Sequence, residues 1–258
     1  MKTVAMTLLL AAMLATAPAA QAGRNCDART PTAARLERGL TLAERTLRAL
    51  DASGAQVVIL ARAGQDLTKY GVRWSHLGFA YKTPDGWRVL HKLNQCGTAQ
   101  ASLYRQGLGE FFLDDPWRYE AAWAVPTAEV QAKLLALLQD ERRATALNHR
   151  PYSIVSYAWG RQYQQSNQWL IETLASALEP GAATRDAAQA WLMFKGYQPA
   201  TLRLGPLTRL GGRVGSANVA FDDHPSEKRF SDRIETVTAD SVFEWLRRAQ
   251  LAGAPATL

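Results

Sequence analysis

The chain has 258 residues, with 30 Lys plus Arg against 23 Asp plus Glu and a formal charge of +7. Hydrophobic residues at 47% and charged residues at 21% are ordinary globular proportions, which excludes a disordered or fibrous chain. Two cysteines, Cys26 and Cys96, exclude a disulfide-dense scaffold and a four-cysteine zinc module. The arginines are scattered, in runs no longer than pairs such as Arg142-Arg143, and form no nucleic-acid-binding stripe.

Residues 1–22 read as a cleavable signal peptide. Lys2 supplies the positive start, Val4 to Ala15 form an apolar run too short to span a bilayer, and Ala20-Gln21-Ala22 is a small-x-small cleavage pattern. Cutting there removes one cation and no acid, leaving +6 on residues 23–258. Cys26 lies four residues past the cut, which speaks against lipid attachment. The expectation is an exported periplasmic protein without a transmembrane segment. In that oxidising compartment Cys26 and Cys96 read as a bridge. The rival reading makes Cys96 a nucleophile served by His91, five residues away.

In chain order, Thr30-Pro31-Thr32 starts a helix whose Leu36, Leu40, Ala43, Leu47 and Leu50 recur at helical spacing, ending near Ser53-Gly54. Val57 to Ala61 is a short strand. Ser75 to His91, "SHLGFAYKTPDGWRVLH", reads as a hairpin around the turn Thr83-Pro84-Asp85-Gly86. A polar stretch follows Cys96, then a strand from Tyr119 to Val125 and a helix from Pro126-Thr127 to about Gln139. Tyr152 to Tyr157 is a further strand candidate. Helices are expected from Asn167 to Leu178, Asp186 to Lys195 and Ser241 to Ala249. The resulting expectation is one α+β domain, an antiparallel sheet packed against helices.

The four histidines, His76, His91, His149 and His224, bound any imidazole chemistry. If Thr83 pairs with Gly86, His91 faces Gly78 and lies diagonal to His76 on one side of the sheet, with Gly78 leaving room for a close approach. Asp222-Asp223-His224 offers metal-ligand types, but a strand would point Asp223 away from its neighbours, and a turn before Pro225 is favoured over a metal site. Trp87, Trp117, Trp159 and Trp169 read as core, with a groove lining as the alternative. Gly-rich phosphate loops, GxSxG elbows and HExxH helices are absent, and no cofactor or metal is expected.

The hairpin resembles the His-bearing hairpin of the NlpC-type papain-fold superfamily. The resemblance implies that His76 is the catalytic base and His91 its orienting partner. In the circularly permuted branch the nucleophile's helix follows this hairpin, and "YQQSNQWLIETLASAL" (Tyr163 to Leu178) looks like that helix. The position matching the family's cysteine is Ser166. It reads either as the nucleophile of a Ser-His-His triad, or as an N-cap or the wall of an inert pocket. The same resemblance implies a permuted papain-like core over about residues 30–180, with a C-terminal extension over about 181–258. The whole mature chain also resembles an uncharacterised family of secreted proteobacterial proteins, on "LARAGQDLTKYGVRWSHLGFA", "LNQCGT", "FFLDDPWRYEA", "YQQSNQWLIE" and "NVAFDDHP".

Two functions follow as expectations. One is acyl transfer or amide hydrolysis by Ser166, His76 and His91 on a cell-envelope peptide or a lipid-derived amide. Backbone N–H groups at the helix start would hold the oxyanion. The other is a non-catalytic envelope protein that binds a peptide or glycan in the same cleft.

Overall fold

The computed structural model describes residues 32–114 and 116–258. The signal peptide and Cys26 lie outside the described residues. Helix α1 (Ala33–Ala52) is capped by Thr32, whose hydroxyl accepts from the Arg35 N–H at 3.3 Å. Strand β1 (Val57–Ala63) is buried along its whole length, and a short 3-10 turn (Thr68–Tyr70) precedes β2 (His76–Thr83) and β3 (Gly86–Asn94). Then come β4 (Ala101–Gly107), α2 (Leu108–Leu113), β5 (Arg118–Ala124), α3 (Ala128–Leu138) and α4 (Glu141–Thr145). The C-terminal half carries α5 (Ser166–Leu178), α6 (Arg185–Phe194), β6 (Ala200–Arg203), α7 (Pro206–Gly215), α8 (Ser226–Arg229), β7 (Arg233–Thr236), α9 (Ala239–Arg248) and β8 (Ala256–Thr257).

This is an α+β fold. Its main sheet is antiparallel, in the order β4-β3-β2-β1-β5-β8, and β6 pairs with β7 in a separate two-stranded ribbon. Alternation along β1 sends Val57, Ile59 and Ala61 into one core and Val58 and Leu60 into another. The first core is filled by Leu134 of α3, Trp169, Leu170 and Leu174 of α5, and Val242 and Trp245 of α9. The second is filled by Leu42 and Leu50 of α1 with Phe111 and Phe112 of α2. With both faces covered, β1 and β2 are near-continuous apolar runs. A third, small cluster of Leu204, Phe221 and Ile234 sits beside the ribbon.

The turn chemistry sets the register that matters for the site. Gly86 adopts φ 100°, a left-handed conformation that favours glycine, and Thr83 pairs with Gly86 as expected. Gly78 has a different reason to be glycine than the close approach expected for it. A Cβ there would stand 2.5 Å from Val89 Cγ1 and 3.2 Å from His91 Cβ, so the neighbouring strand fills the space.

Three expectations about elements change. The buried face of α1 is Leu42, Ala43, Thr46 and Leu50 with Gly39, while Leu40 is 51% exposed. Gly39 lets α2 come close, since a Cβ there would meet Leu113 Cδ2 at 2.5 Å. Tyr152 to Tyr157 is not a strand: Ser153 Oγ donates to Ala220 O at 2.9 Å and Ser156 N–H turns back to Ser153 O at 3.0 Å. The polar stretch after Cys96 contains β4, which pairs with β3 over its full length.

Candidate functional site

His76 is the first residue of β2, and His91 lies inside β3. Their diagonal placement brings His76 Nε2 to 2.8 Å from His91 Nδ1, and His91 Nε2 lies 2.7 Å from Gln106 Oε1 on β4. The chemistry of the last partner orders the chain of protons. An amide oxygen only accepts, so His91 carries its proton on Nε2 and presents a bare Nδ1. His76 therefore donates from Nε2, which makes its Nδ1 the basic nitrogen. The Phe111 ring closes over the pair, 5.9 Å from the His76 ring and 5.2 Å from the His91 ring.

Burial, aided by the neighbouring Arg62 guanidinium, pushes the His91 pKa down to about 4. His91 is therefore a neutral acceptor at neutral pH. Because the folded value lies below the ordinary value of about 6.5, the stability this confers is complete above pH 6.5 and is lost as pH falls toward 4. The loss amounts to about 3 kcal/mol. Urea midpoints measured across that window should fall with acidification, and the slope should flatten in His91→Gln.

Ser166 is the first residue of α5, but it is not the N-cap. That role belongs to Gln165, whose side-chain oxygen accepts from the Asn167 N–H at 2.8 Å, while its amide donates to Val237 O. Of the expected oxyanion donors, the Asn167 N–H is thus already spent on the cap. The Asn167 side chain ties the helix start to the hairpin, accepting from the Leu77 N–H at 3.0 Å, one residue from His76. The Ser166 hydroxyl forms no hydrogen bond within the described residues, and Ser166 and His76 are not hydrogen-bonded to each other.

Both residues instead share the wall of one cavity of about 380 Å³. Arg62, Trp74 and Asn167 line it near them, and Ile154, Leu204 and Phe221 give it an apolar far side. The cavity is of the size and mixed lining found in small-molecule sites. Arg62 pairs with His76 across β1 and β2 and makes a part-buried ion pair with Asp114.

Sequence reasoning missed Gln106 because β4 carries no strand alternation. Arg62 stands one residue past the expected strand Val57 to Ala61, and Trp74 one residue before the expected hairpin, so neither carried a signal of its own. None of Trp87, Trp117, Trp159 and Trp169 lines the cavity: Trp87 and Trp169 are core, Trp159 packs against it, and Trp117 is exposed.

Other candidate chemistry resolves into structure. Asp222 accepts from Gln162 and Tyr163, and Asp223 accepts from the Tyr157 N–H at 2.8 Å while pairing with His224 at 3.0 Å. No cluster of three metal-ligating residues occurs among the described residues. Cys96 is disulfide-bonded, which removes it as a nucleophile; its partner lies outside the described residues. No helix among the described residues is long and apolar enough to cross a membrane.

Residues 49–246 match the family described as an uncharacterized protein conserved in bacteria, DUF2145. The chain belongs to the DUF2145 family. The DUF2145 span takes in the hairpin, Gln106, Ser166 and the ribbon beside the cavity, so the whole candidate site lies inside the family's shared region. No curated protein and no solved structure matches the chain.

Proposed function

We propose that this DUF2145 chain is an exported, periplasmic acyl-transfer or amide-hydrolysing enzyme with a permuted papain-like core, in which Ser166 is the nucleophile, His76 the general base and His91 the residue that orients it. The supporting observation is the buried relay from Gln106 through His91 to His76. A relay of this kind fixes one imidazole tautomer and aims its basic nitrogen, the arrangement that general-base chemistry needs.

In the proposed reaction, His76 Nδ1 takes the Ser166 Oγ proton as Oγ attacks the substrate carbonyl carbon. The imidazolium so formed is stabilised through its Nε2–H bond to neutral His91. The carbon–nitrogen or carbon–oxygen bond then breaks, and the leaving amine or alcohol carries away the His76 proton. Water, or an acceptor hydroxyl or amine, cleaves the acyl-serine by the same route. In this reading the N–H of Ser166, at the positive end of α5, donates to the developing oxyanion. Ser166 and His76 share the cavity wall without a hydrogen bond between them, and in this reading bound substrate brings them into contact, as catalytic pairs often tighten only in the complex. The largely apolar lining suits a substrate with an aliphatic portion, such as a lipid-derived amide, alongside a cell-envelope peptide.

A fluorophosphonate probe tests the reading. The wild-type protein should be labelled once, at Ser166, and labelling should vanish in Ser166→Ala. Labelling unchanged in Ser166→Ala would refute the assignment. No labelling of the wild type would favour the second reading, a pocket that binds a peptide or glycan without cleaving it. That reading is supported by the missing bond between Ser166 and His76.

A further inference from the structure

Helix α7 buries none of its residues, yet it is not uniformly polar. Leu207, Leu210 and Val214 recur at helical spacing and are 83%, 61% and 63% exposed. They form an apolar stripe that faces away from the protein. The opposite side of the helix carries Thr208 and Gly212, which line the cavity. Soluble helices place their apolar face inward, so this one is inverted.

The surroundings are cationic. Residues 187–221 contain Lys195, Arg203, Arg209 and Arg213 and no Asp or Glu. Arg203 and Arg213 are exposed. Arg209 is committed to the fold: its guanidinium donates to the carbonyls of Arg229 and Ser231 and stacks on Phe221 at 4.5 Å. That clamp holds the intervening Phe230, itself 80% exposed, beside α7. The acids that follow are engaged elsewhere or lie beyond the helix: Asp222 accepts from Gln162 and Tyr163, Asp223 accepts from the Tyr157 N–H and pairs with His224, Glu227 is on α8, and Asp232 lies 3.9 Å from Arg233.

We infer that α7 and Phe230 form a docking surface for an anionic phospholipid bilayer, with the aliphatic stripe buried at the headgroup boundary and Arg203 and Arg213 against the lipid charge. Short amphipathic helices with exposed aliphatic residues and flanking cations bind bilayers in this way, through buried apolar area and attraction to anionic headgroups together. A partner protein with a matching groove would satisfy the stripe alone. The unbroken absence of acid over 35 residues favours a surface that is both apolar and anionic. The inference goes beyond the catalytic proposal and does not depend on it. In this position the bilayer lies next to the cavity wall that Thr208 and Gly212 help to form.

Vesicle flotation with the mature protein tests it. Vesicles of equimolar phosphatidylcholine and phosphatidylglycerol should carry the protein, less so at high salt, and phosphatidylcholine alone should carry much less. The triple variant Leu207→Ser, Leu210→Ser, Val214→Ser should lose at least about tenfold in partitioning, since several buried methylene groups are removed. Arg203→Ala with Arg213→Ala should lose binding to the anionic vesicles selectively. All five side chains are exposed, so the variants should keep the wild-type melting temperature, and Ser166→Ala should bind as the wild type does. Failure of the wild type to float, or equal flotation of the triple variant, would overturn the inference. So would a wild-type dimer that becomes monomeric in the triple variant while neither binds vesicles.

Discussion

Replacing Glu172 with alanine is expected to cost about 3–5 kcal/mol of folding stability, the usual penalty for breaking a buried ion pair from one side. Glu172 is fully buried on α5. It accepts from Arg185 Nε at 2.8 Å, from Gln189 Nε2 at 2.7 Å and from Gln164 Nε2 at 2.5 Å. Gln164 in turn accepts from the fully buried Lys92 at 2.6 Å, and Lys92 also donates to His149 O at 2.5 Å. Burial, with the Arg185 charge nearby, already drives the Lys92 pKa down to about 7, and Glu172 is the carboxylate that opposes this. Removing that carboxylate leaves the part-buried Arg185 guanidinium without its counter-ion and the Gln164 and Gln189 amides without their acceptor, and it moves Lys92 further toward the neutral amine. Urea unfolding should show the loss as a lower midpoint, and Glu172→Gln, which keeps the shape and part of the bonding, should lose less. A midpoint within error of the wild type would show that the network relaxes without consequence. Because Gln164 lies two residues before Ser166, the same network fixes where α5 begins, and the variant should also lose fluorophosphonate labelling under native conditions.

How far the sequence revealed the site depends on which physical signal each residue carried. His76 and His91 were legible because Thr83-Pro84-Asp85-Gly86 is a turn with one sensible register, and register alone dictates which side chains meet. The helix of Ser166 was legible from its apolar period. Its cap was not, because a hydroxyl at a helix start looks like the natural cap, and glutamine, which took that place, seldom does so. Gln106 was invisible because β4 lies at the edge of the sheet and needs no apolar alternation to stay there. The buried face of α1 was rotated from Leu40 and Leu47 toward Leu42 and Thr46, since α2 approaches over Gly39, a long-range contact that spacing cannot encode. The stripe on α7 escaped notice because three glycines in ten residues, Gly211, Gly212 and Gly215, masked the helical period.

The second large effect concerns Ser166 itself. A cysteine at this position would stand at the N-terminus of α5, where the helix dipole favours an anion, and on the same cavity wall as His76. Both influences favour the thiolate, and cysteines so placed titrate between about 3.5 and 7.5 rather than at about 8.5. Cys96 is already in a disulfide, so Ser166→Cys would add the reactive thiol among the described residues. If the cavity joins base to nucleophile, alkylation of this variant at pH 6 should run at least about tenfold faster than that of an unperturbed thiol. The advantage should disappear when His76→Ala is combined with it.

The decisive measurement is therefore the rate of iodoacetamide alkylation of Ser166→Cys as a function of pH. Activation by His76 and the α5 dipole predicts a half-point at least one unit below about 8.5, moving upward when His76 is replaced by alanine. A half-point at or above about 8.5, unmoved by His76→Ala, would show a buried thiol without a base and would contradict a catalytic role for Ser166 and His76.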